Sequence, residues 1–199
     1  MTYSHFWTSV PGWFNHVRTF NLILDMIPNN FVFAEIGTFM GRGLSYFTVE
    51  SLLRMKSGEI YAIDTFQGSE EHLNKNSPHF IPALKEDVNF LLKEYKKHTS
   101  DIREYITTIQ NESTVAAKSF RDEYFDAIYL DGAHDYKSVL EDLESWYPKL
   151  KQDKILLFGD DWGWDTVRRA VEDFVKDKDQ LKIFITEPNE YLITNLELN

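Results

Sequence analysis

Five apolar runs, each followed by a stretch with helical spacing, constrain the fold of this chain more than any other feature. Residues 31–36, 59–64, 105–109, 125–130 and 154–158 are rich in β-branched and aromatic side chains and read as strands. Helical patterns follow over 41–54, 82–97, 114–120, 136–147 and 166–176. Before the first strand, residues 12–27 place Phe14, Val17, Leu22 and Met26 near one stripe, and Pro28-Asn29-Asn30 breaks the pattern. The end differs: 181–186 and 191–196 are two strands joined by Glu187-Pro188-Asn189-Glu190, a hairpin signal. Strand–helix alternation predicts an α/β fold with a doubly wound, mostly parallel, seven-stranded sheet, and the final hairpin forces one antiparallel strand. The 199 residues contain no internal repeat and no Gly/Ser-rich linker, so one domain is expected over 1–199. Residues 1–30 form its helical lead-in, and the polar segment 67–100 is an insertion or lid.

Composition removes several function classes. With 21 Lys+Arg against 32 Asp+Glu the formal net charge is −11, which repels phosphate backbones and argues against a nucleic-acid partner. The chain has no cysteine, which excludes disulfides, zinc–thiolate sites, iron–sulfur clusters and thiol nucleophiles. No apolar run approaches the ~20 residues of a membrane span. The first residues lack the basic start and apolar stretch of a signal peptide, so a cytoplasmic protein is expected.

Ligands of such sheets bind beyond the C-terminal strand ends, so the residues there carry the functional information. The first strand leads into Glu35-Ile36-Gly37-Thr38-Phe39-Met40-Gly41-Arg42-Gly43. Three glycines allow a tight turn and close approach of a ligand, although an ordinary strand–helix turn has the same composition. The spacing also occurs in short-chain dehydrogenases, but an acid two positions before the first glycine favours a ligand with a cationic group. Asp64 ends the second strand and suits either a ribose or a helix cap. Asn111-Glu112-Ser113 follows the third and suits a nucleobase edge, or Ser113 caps the next helix. The fourth ends in Asp131-Gly132-Ala133-His134-Asp135, the fifth in Gly159-Asp160-Asp161-Trp162. Asp131, Asp160 and Asp161 side by side would repel unless a cation, a proton or a positive ligand intervenes; the alternative is solvated loop acids.

These segments together resemble a class I S-adenosylmethionine-dependent methyltransferase, over essentially the whole chain. Glu35 to Gly43 is similar to the family's glycine motif, Asp64 to its ribose-binding acid, and Asn111 to Ser113 to its adenine segment. The terminal strand pair matches the reversed hairpin that separates this fold from dehydrogenases. More narrowly, residues 125–136, Asp160-Asp161-Trp162, Val167-Arg168-Arg169-Ala170-Val171 and Pro11-Gly12-Trp13-Phe14 resemble a bacterial subgroup. That subgroup is related to macrolide-sugar (macrocin-type) and catechol-type O-methyltransferases.

The resemblance implies that S-adenosylmethionine is held by Glu35, Gly37, Thr38, Gly41, Gly43, Asp64, Thr65, Glu112, Ser113 and Asp131. It implies a Mg²⁺ or other divalent site at Asp131, Asp160 and Asp161. His134, where catechol-type enzymes carry a catalytic lysine, becomes the candidate base acting with Asp131; the alternative is a structural histidine capping the next helix or bonding Asp135. The acceptor implied is a small-molecule hydroxyl on a sugar, natural product or catechol-like ring. The aromatic N-terminus and residues 67–79 would form its lid, and the aromatic stretch is a candidate homodimer surface.

Three rivals are weighed against this. A dehydrogenase needs Tyr-x-x-x-Lys on one helical face, but in the single match, Tyr147 to Lys151, Pro148 interrupts the helix. Nucleic-acid methylation lacks both the Asn/Asp-Pro-Pro-aromatic motif and the cysteine it would use. A cofactor-binding protein without catalysis would keep Glu35, Asp64 and the glycines and leave His134 idle.

Overall fold

The computed structural model describes residues 3–198. Seven strands form one sheet in the order β3-β2-β1-β4-β5-β7-β6: β1 (Val32–Ile36), β2 (Glu59–Asp64), β3 (Ile106–Gln110), β4 (Ala127–Leu130), β5 (Leu157–Gly159), β6 (Lys182–Glu187) and β7 (Glu190–Thr194). The first five run parallel, and β7 lies antiparallel between β5 and β6. This is the Rossmann-like methyltransferase topology with its reversed C-terminal hairpin. The strand order reverses between β1 and β4, which opens a crevice at their C-terminal ends.

The helices are α1 (Val17–Met26), α2 (Arg42–Leu53), α3 (Glu70–Leu73), α4 (Ala83–Glu86), α5 (Phe90–His98), α6 (Ser113–Ala117), α7 (Tyr136–Trp146) and α8 (Asp165–Val175). Both sheet faces are covered, so the central strands are apolar on successive residues. Phe33, Tyr129, Phe158 and Leu192 belong to one core with residues of α1, α2 and α5. Ala34, Ile128, Leu157 and Ile193 belong to the other with residues of α6, α7 and α8. The N-terminal aromatics largely complete the first core. Phe14 and Phe20 are buried, and Phe20 packs edge-on to Tyr129 at 4.9 Å. Trp13, 56% exposed, is the one left outside.

The expected boundaries shift where side chains compete with the backbone ladder. The lead-in helix begins at Val17 rather than Gly12, because Gly12 takes φ +133° and residues 13–16 stay irregular up to the cap at His16. The helix expected over 82–97 is two. Asp87 accepts from the Asn89 amide at 2.9 Å and from Lys93 at 2.5 Å, and this local turn replaces a helical one. In the fifth strand Ile155 donates its amide to the Asn195 side chain (3.0 Å), so pairing is confined to Leu157–Gly159. The hairpin is tighter than expected. Glu187 pairs with Glu190, and the Glu187 carboxylate accepts from the Thr19 amide at 2.9 Å.

Gly37 permits the crevice to form. Its φ is +87°, and a Cβ there would overlap the Asp131 carbonyl and the Gly132 Cα. Gly37→Ala is therefore expected to cost about 3 kcal/mol, from left-handed strain plus overpacking, read as a lower urea midpoint at unchanged slope. A midpoint within error of wild type would refute this account.

Candidate active site

Above the β1–β4 crevice lies a cleft of about 770 Å³, bordered by residues 12–16 and by the loops following β1 to β5. Glu35, Gly37, Thr38, Gly43, Asp64, Thr65, Glu112, Ser113, Asp131, His134, Asp160 and Asp161 all border it. Gly41 does not. It takes φ +87° at the start of α2, and a Cβ would meet the Thr99 methyl at 2.7 Å. Its role in the structure is to seat α2 against the end of α5.

At one end of the cleft, Glu35 is 2% exposed and its Oε2 has no hydrogen-bond partner. Burial, with Asp64 nearby, holds its carboxyl well above the usual carboxylate range. A Cβ on Gly43 would lie 3.2 Å from Glu35 Oε1, so that glycine leaves room for the carboxylate. An unpartnered buried carboxylate costs stability unless a donor or cation joins it. Asp64 accepts from the amides of Phe39 and Phe66, each at 2.7 Å. Both phenylalanines have left-handed backbones (φ +51° and +55°) that aim their amides at it. Burial raises its carboxyl, and these amides oppose the shift. Each oxygen keeps a lone pair for a ligand hydroxyl.

Ser113 fits neither reading exclusively. It is the first residue of α6, the cap position belongs to Glu112, and the Ser113 hydroxyl accepts from the Trp146 indole at 2.8 Å. Asp142 also borders this end, and burial lifts its carboxyl to about 6 against the opposing bond from Ser113.

At the other end, His134 Nε2 lies 2.8 Å from Asp161 Oδ2. Its ring stacks on Trp164 at 5.1 Å, and its Nδ1 is 3.8 Å from Glu71. Asp135 instead caps α7, accepting from the Ser138 amide, so His134 neither caps that helix nor bonds Asp135. The bond to Asp161 raises the imidazole's pKa against the effect of burial. For Asp161, burial is outweighed by His134 and Asn189, which hold it below its usual range. Asp161 has φ +65°, an uncommon backbone for a non-glycine residue, as is frequent at functional sites.

The three acids expected to form one cation site divide. Asp160 turns away, accepting from Asn189 at 2.7 Å and the Asp161 amide at 2.6 Å, with His16 Nε2 at 3.0 Å. Asp131 and Asp161 group with His134, their ligating atoms all within 4.8 Å of one another. Burial, then Asp160 and Asp161, hold Asp131 well above the usual carboxylate range. A hard cation there would relieve that repulsion, so Asp131 and Asp161 fit a divalent ion. His16 in turn sits between Asp160 and buried Glu190 (3.5 Å), which also accepts from Tyr129 at 2.9 Å.

Sequence reading missed His16, Asp142 and Arg42, because nothing in their local pattern marks them. Among the described residues bordering the cleft, Arg42 is the single Arg or Lys, against nine Asp and Glu.

Strand order, reversed hairpin and cleft position define a Rossmann-like methyltransferase. Residues 34–161 match the family described as a methyltransferase domain, and the chain belongs to that family, whose cofactor is S-adenosylmethionine. The uncharacterized protein y4gI of Sinorhizobium fredii is 26% identical over 160 residues, covering 78% of this chain but 16% of that protein. The uncharacterized protein R132 of Acanthamoeba polyphaga mimivirus is 27% identical over 173 residues, 80% of this chain and 70% of that one. Among solved structures, the O-methyltransferase NovP superposes with a TM-score of 0.60 at 15% identity, over 88% of this chain and 75% of that one. CalS11, a TDP-rhamnose 3'-O-methyltransferase, gives 0.55 at 15%, over 88% and 76%. An rRNA methylase from Streptococcus thermophilus gives 0.56 at 13%, over 88% and 92%. At these identities the likeness is one of fold.

The raised carboxyls predict a pH dependence. Above the usual carboxylate range the unfolded chain has released protons that Glu35 and Asp131 still hold in the fold, so stability falls as pH rises through that window. Glu35→Gln removes one such group. Its stability by urea unfolding should fall less steeply with pH than wild type and be higher at neutral pH. A profile parallel to wild type would contradict the assignment.

Proposed function

We propose that this chain transfers the methyl group of S-adenosylmethionine to a hydroxyl oxygen of a small molecule, with His134 as the base. The observation that carries the reading is the His134–Asp161 pair, at 2.8 Å, in the same cleft as the unpartnered Glu35 carboxylate. Glu35 would take the ligand's ammonium, Asp64 its ribose hydroxyls, and the segment Glu112-Ser113 its adenine edge. The acidic cleft favours the cationic sulfonium over the neutral sulfide left after transfer, which helps product release.

In the reaction the acceptor oxygen attacks the methyl carbon in line as the carbon–sulfur bond breaks. The acceptor's proton goes to His134. Asp161 accepts from Nε2–H, so neutral His134 keeps its lone pair on Nδ1, the atom that takes the proton. Alignment of the two reactants supplies much of the acceleration. A divalent ion held by Asp131 and Asp161 would lower the acceptor's pKa. The lead-in loop with Trp13 and the segment from Gly68 to His79, both bordering the cleft, form the lid over the acceptor.

S-adenosylmethionine should raise the melting temperature; a flat value at saturating ligand would remove the reading altogether. His134→Ala should lower kcat about 10²-fold or more while leaving S-adenosylhomocysteine affinity unchanged. Unchanged turnover would instead point to a different base, and no turnover in the wild type to a cofactor-binding protein.

Asp161→Asn should move the acid limb of the kcat profile to lower pH, because the neutral amide no longer raises the imidazole's pKa. Mn²⁺ titration should show binding that weakens in Asp161→Asn and much less in Asp160→Asn. Equal loss in both would restore Asp160 to the cation site.

A further inference from the structure

We propose that the acceptor is a hydroxylated ring without phosphate, stacked on Trp13 and hydrogen-bonded by His72. The proposal rests on the methyltransferase reading above and narrows its substrate.

The first observation is what the cleft lacks. Recognition of a phosphate uses Arg forks, Lys or open helix N-termini. Among the described residues Arg42 is the only Arg or Lys at the cleft, and its guanidinium donates to the Gly12 carbonyl at 2.7 Å and lies 5.3 Å from the centre of the Trp7 ring. The helix starts near His134 are acidic as well. α3 opens with Glu70 and Glu71, Asp135 caps α7, and Asp165 begins α8. Two of the histidines at this end, His16 and His134, are already paired with Asp160 and Asp161. A nucleotide-linked sugar or a coenzyme A thioester would bring its phosphates to a surface where, among the described residues, nine carboxylic acids face a single arginine.

The second observation is what the cleft offers. Trp13 is 56% exposed at the mouth and forms a triangle of rings with Phe39 (5.4 Å) and His72 (5.8 Å), while His79 meets it edge-on at 4.9 Å. Large aromatic faces of this kind bind flat ring faces, whether aromatic or the C–H face of a sugar. Beneath the indole, His72 is 7% exposed. The Ser69 amide donates to its Nδ1 at 3.0 Å, so neutral His72 carries its proton on Nε2, and that atom is buried without a partner. Burial lowers the imidazole's pKa and keeps it neutral. A ring oxygen or hydroxyl sliding under the indole gives this donor its acceptor. Glu71, next along α3, faces His134 at 3.8 Å, so the same short helix carries the donor to the ring and borders the candidate base.

The test is calorimetric titration of the protein saturated with S-adenosylhomocysteine, using matched probes. These are catechol with catechol monophosphate, and methyl α-L-rhamnoside with dTDP-L-rhamnose. The expected result is that at least one uncharged probe binds about tenfold or more tighter than its phosphorylated counterpart, the gap shrinking as salt is added. Which pair responds distinguishes an aromatic acceptor from a sugar. Trp13→Ala and His72→Phe should each weaken the uncharged probe about tenfold while S-adenosylhomocysteine binds as before. His72→Phe retains a ring, so its effect isolates the donor from the stack. A phosphorylated probe that binds as tightly as its partner, or no uncharged probe binding at all, overturns the proposal. Failure to bind S-adenosylhomocysteine would overturn the methyltransferase reading instead.

Discussion

Gly37 sits where β1 and β4 begin to part, and the rest of the site depends on its having no side chain. Its left-handed backbone turns the chain away from β1 while the Asp131–Gly132 backbone passes against its Cα. Because the two strand ends stay this close, Glu35 on β1 and Asp131 after β4 face one cleft. The adjacent strands then add Asp64 on one side and Asp160 with Asp161 on the other. A larger residue would push apart the two elements that carry Glu35 and His134.

That close gathering of carboxylates has an energetic cost. Glu35 is buried and Asp131 half-buried, and desolvation, reinforced by neighbouring acids, holds both well above their usual range. Such an arrangement does not help the fold by itself, since an unpaired buried acid is destabilising. It suits a protein whose ligands bring the missing positive charge. Asp160 and Asp161 respond in opposite ways to the same crowding. Asp160 is tied inward to His16 and Asn189, whereas Asp161 is turned by its left-handed backbone toward His134. Adjacent residues of the same type therefore serve different ends.

How far the site could be read in sequence follows from how local each determinant is. Glu35, Asp64, Asp131 and His134 follow or end strands whose apolar runs are unmistakable, so their position at the cleft was legible from spacing alone. The glycine segment was legible as a turn, but only the packing of Thr99 separates Gly41, which seats a helix, from Gly43, which leaves space for Glu35. Ser113 read equally well as a cap or a base contact; the cap position falls on Glu112, and the hydroxyl's bond to the indole of the distant Trp146 had no signal in sequence. The break in the helix expected over 82–97 was missed because one aspartate's hydrogen bonds outweighed a continuous helical pattern.

The sequence by itself determined the class of fold, the order of the elements and which residues stand at strand ends. Apolar periodicity and turn chemistry act over a few residues, and the alternation leaves few topologies open. Only the tertiary structure decided which of those residues meet. The pairing of His134 with Asp161, the withdrawal of Asp160 toward His16, and the stack of Trp13 on His72 join segments far apart in the chain. Those contacts are settled by the packing of helices against the sheet and by the need of each buried polar atom for a partner. No local pattern in the chain encodes either.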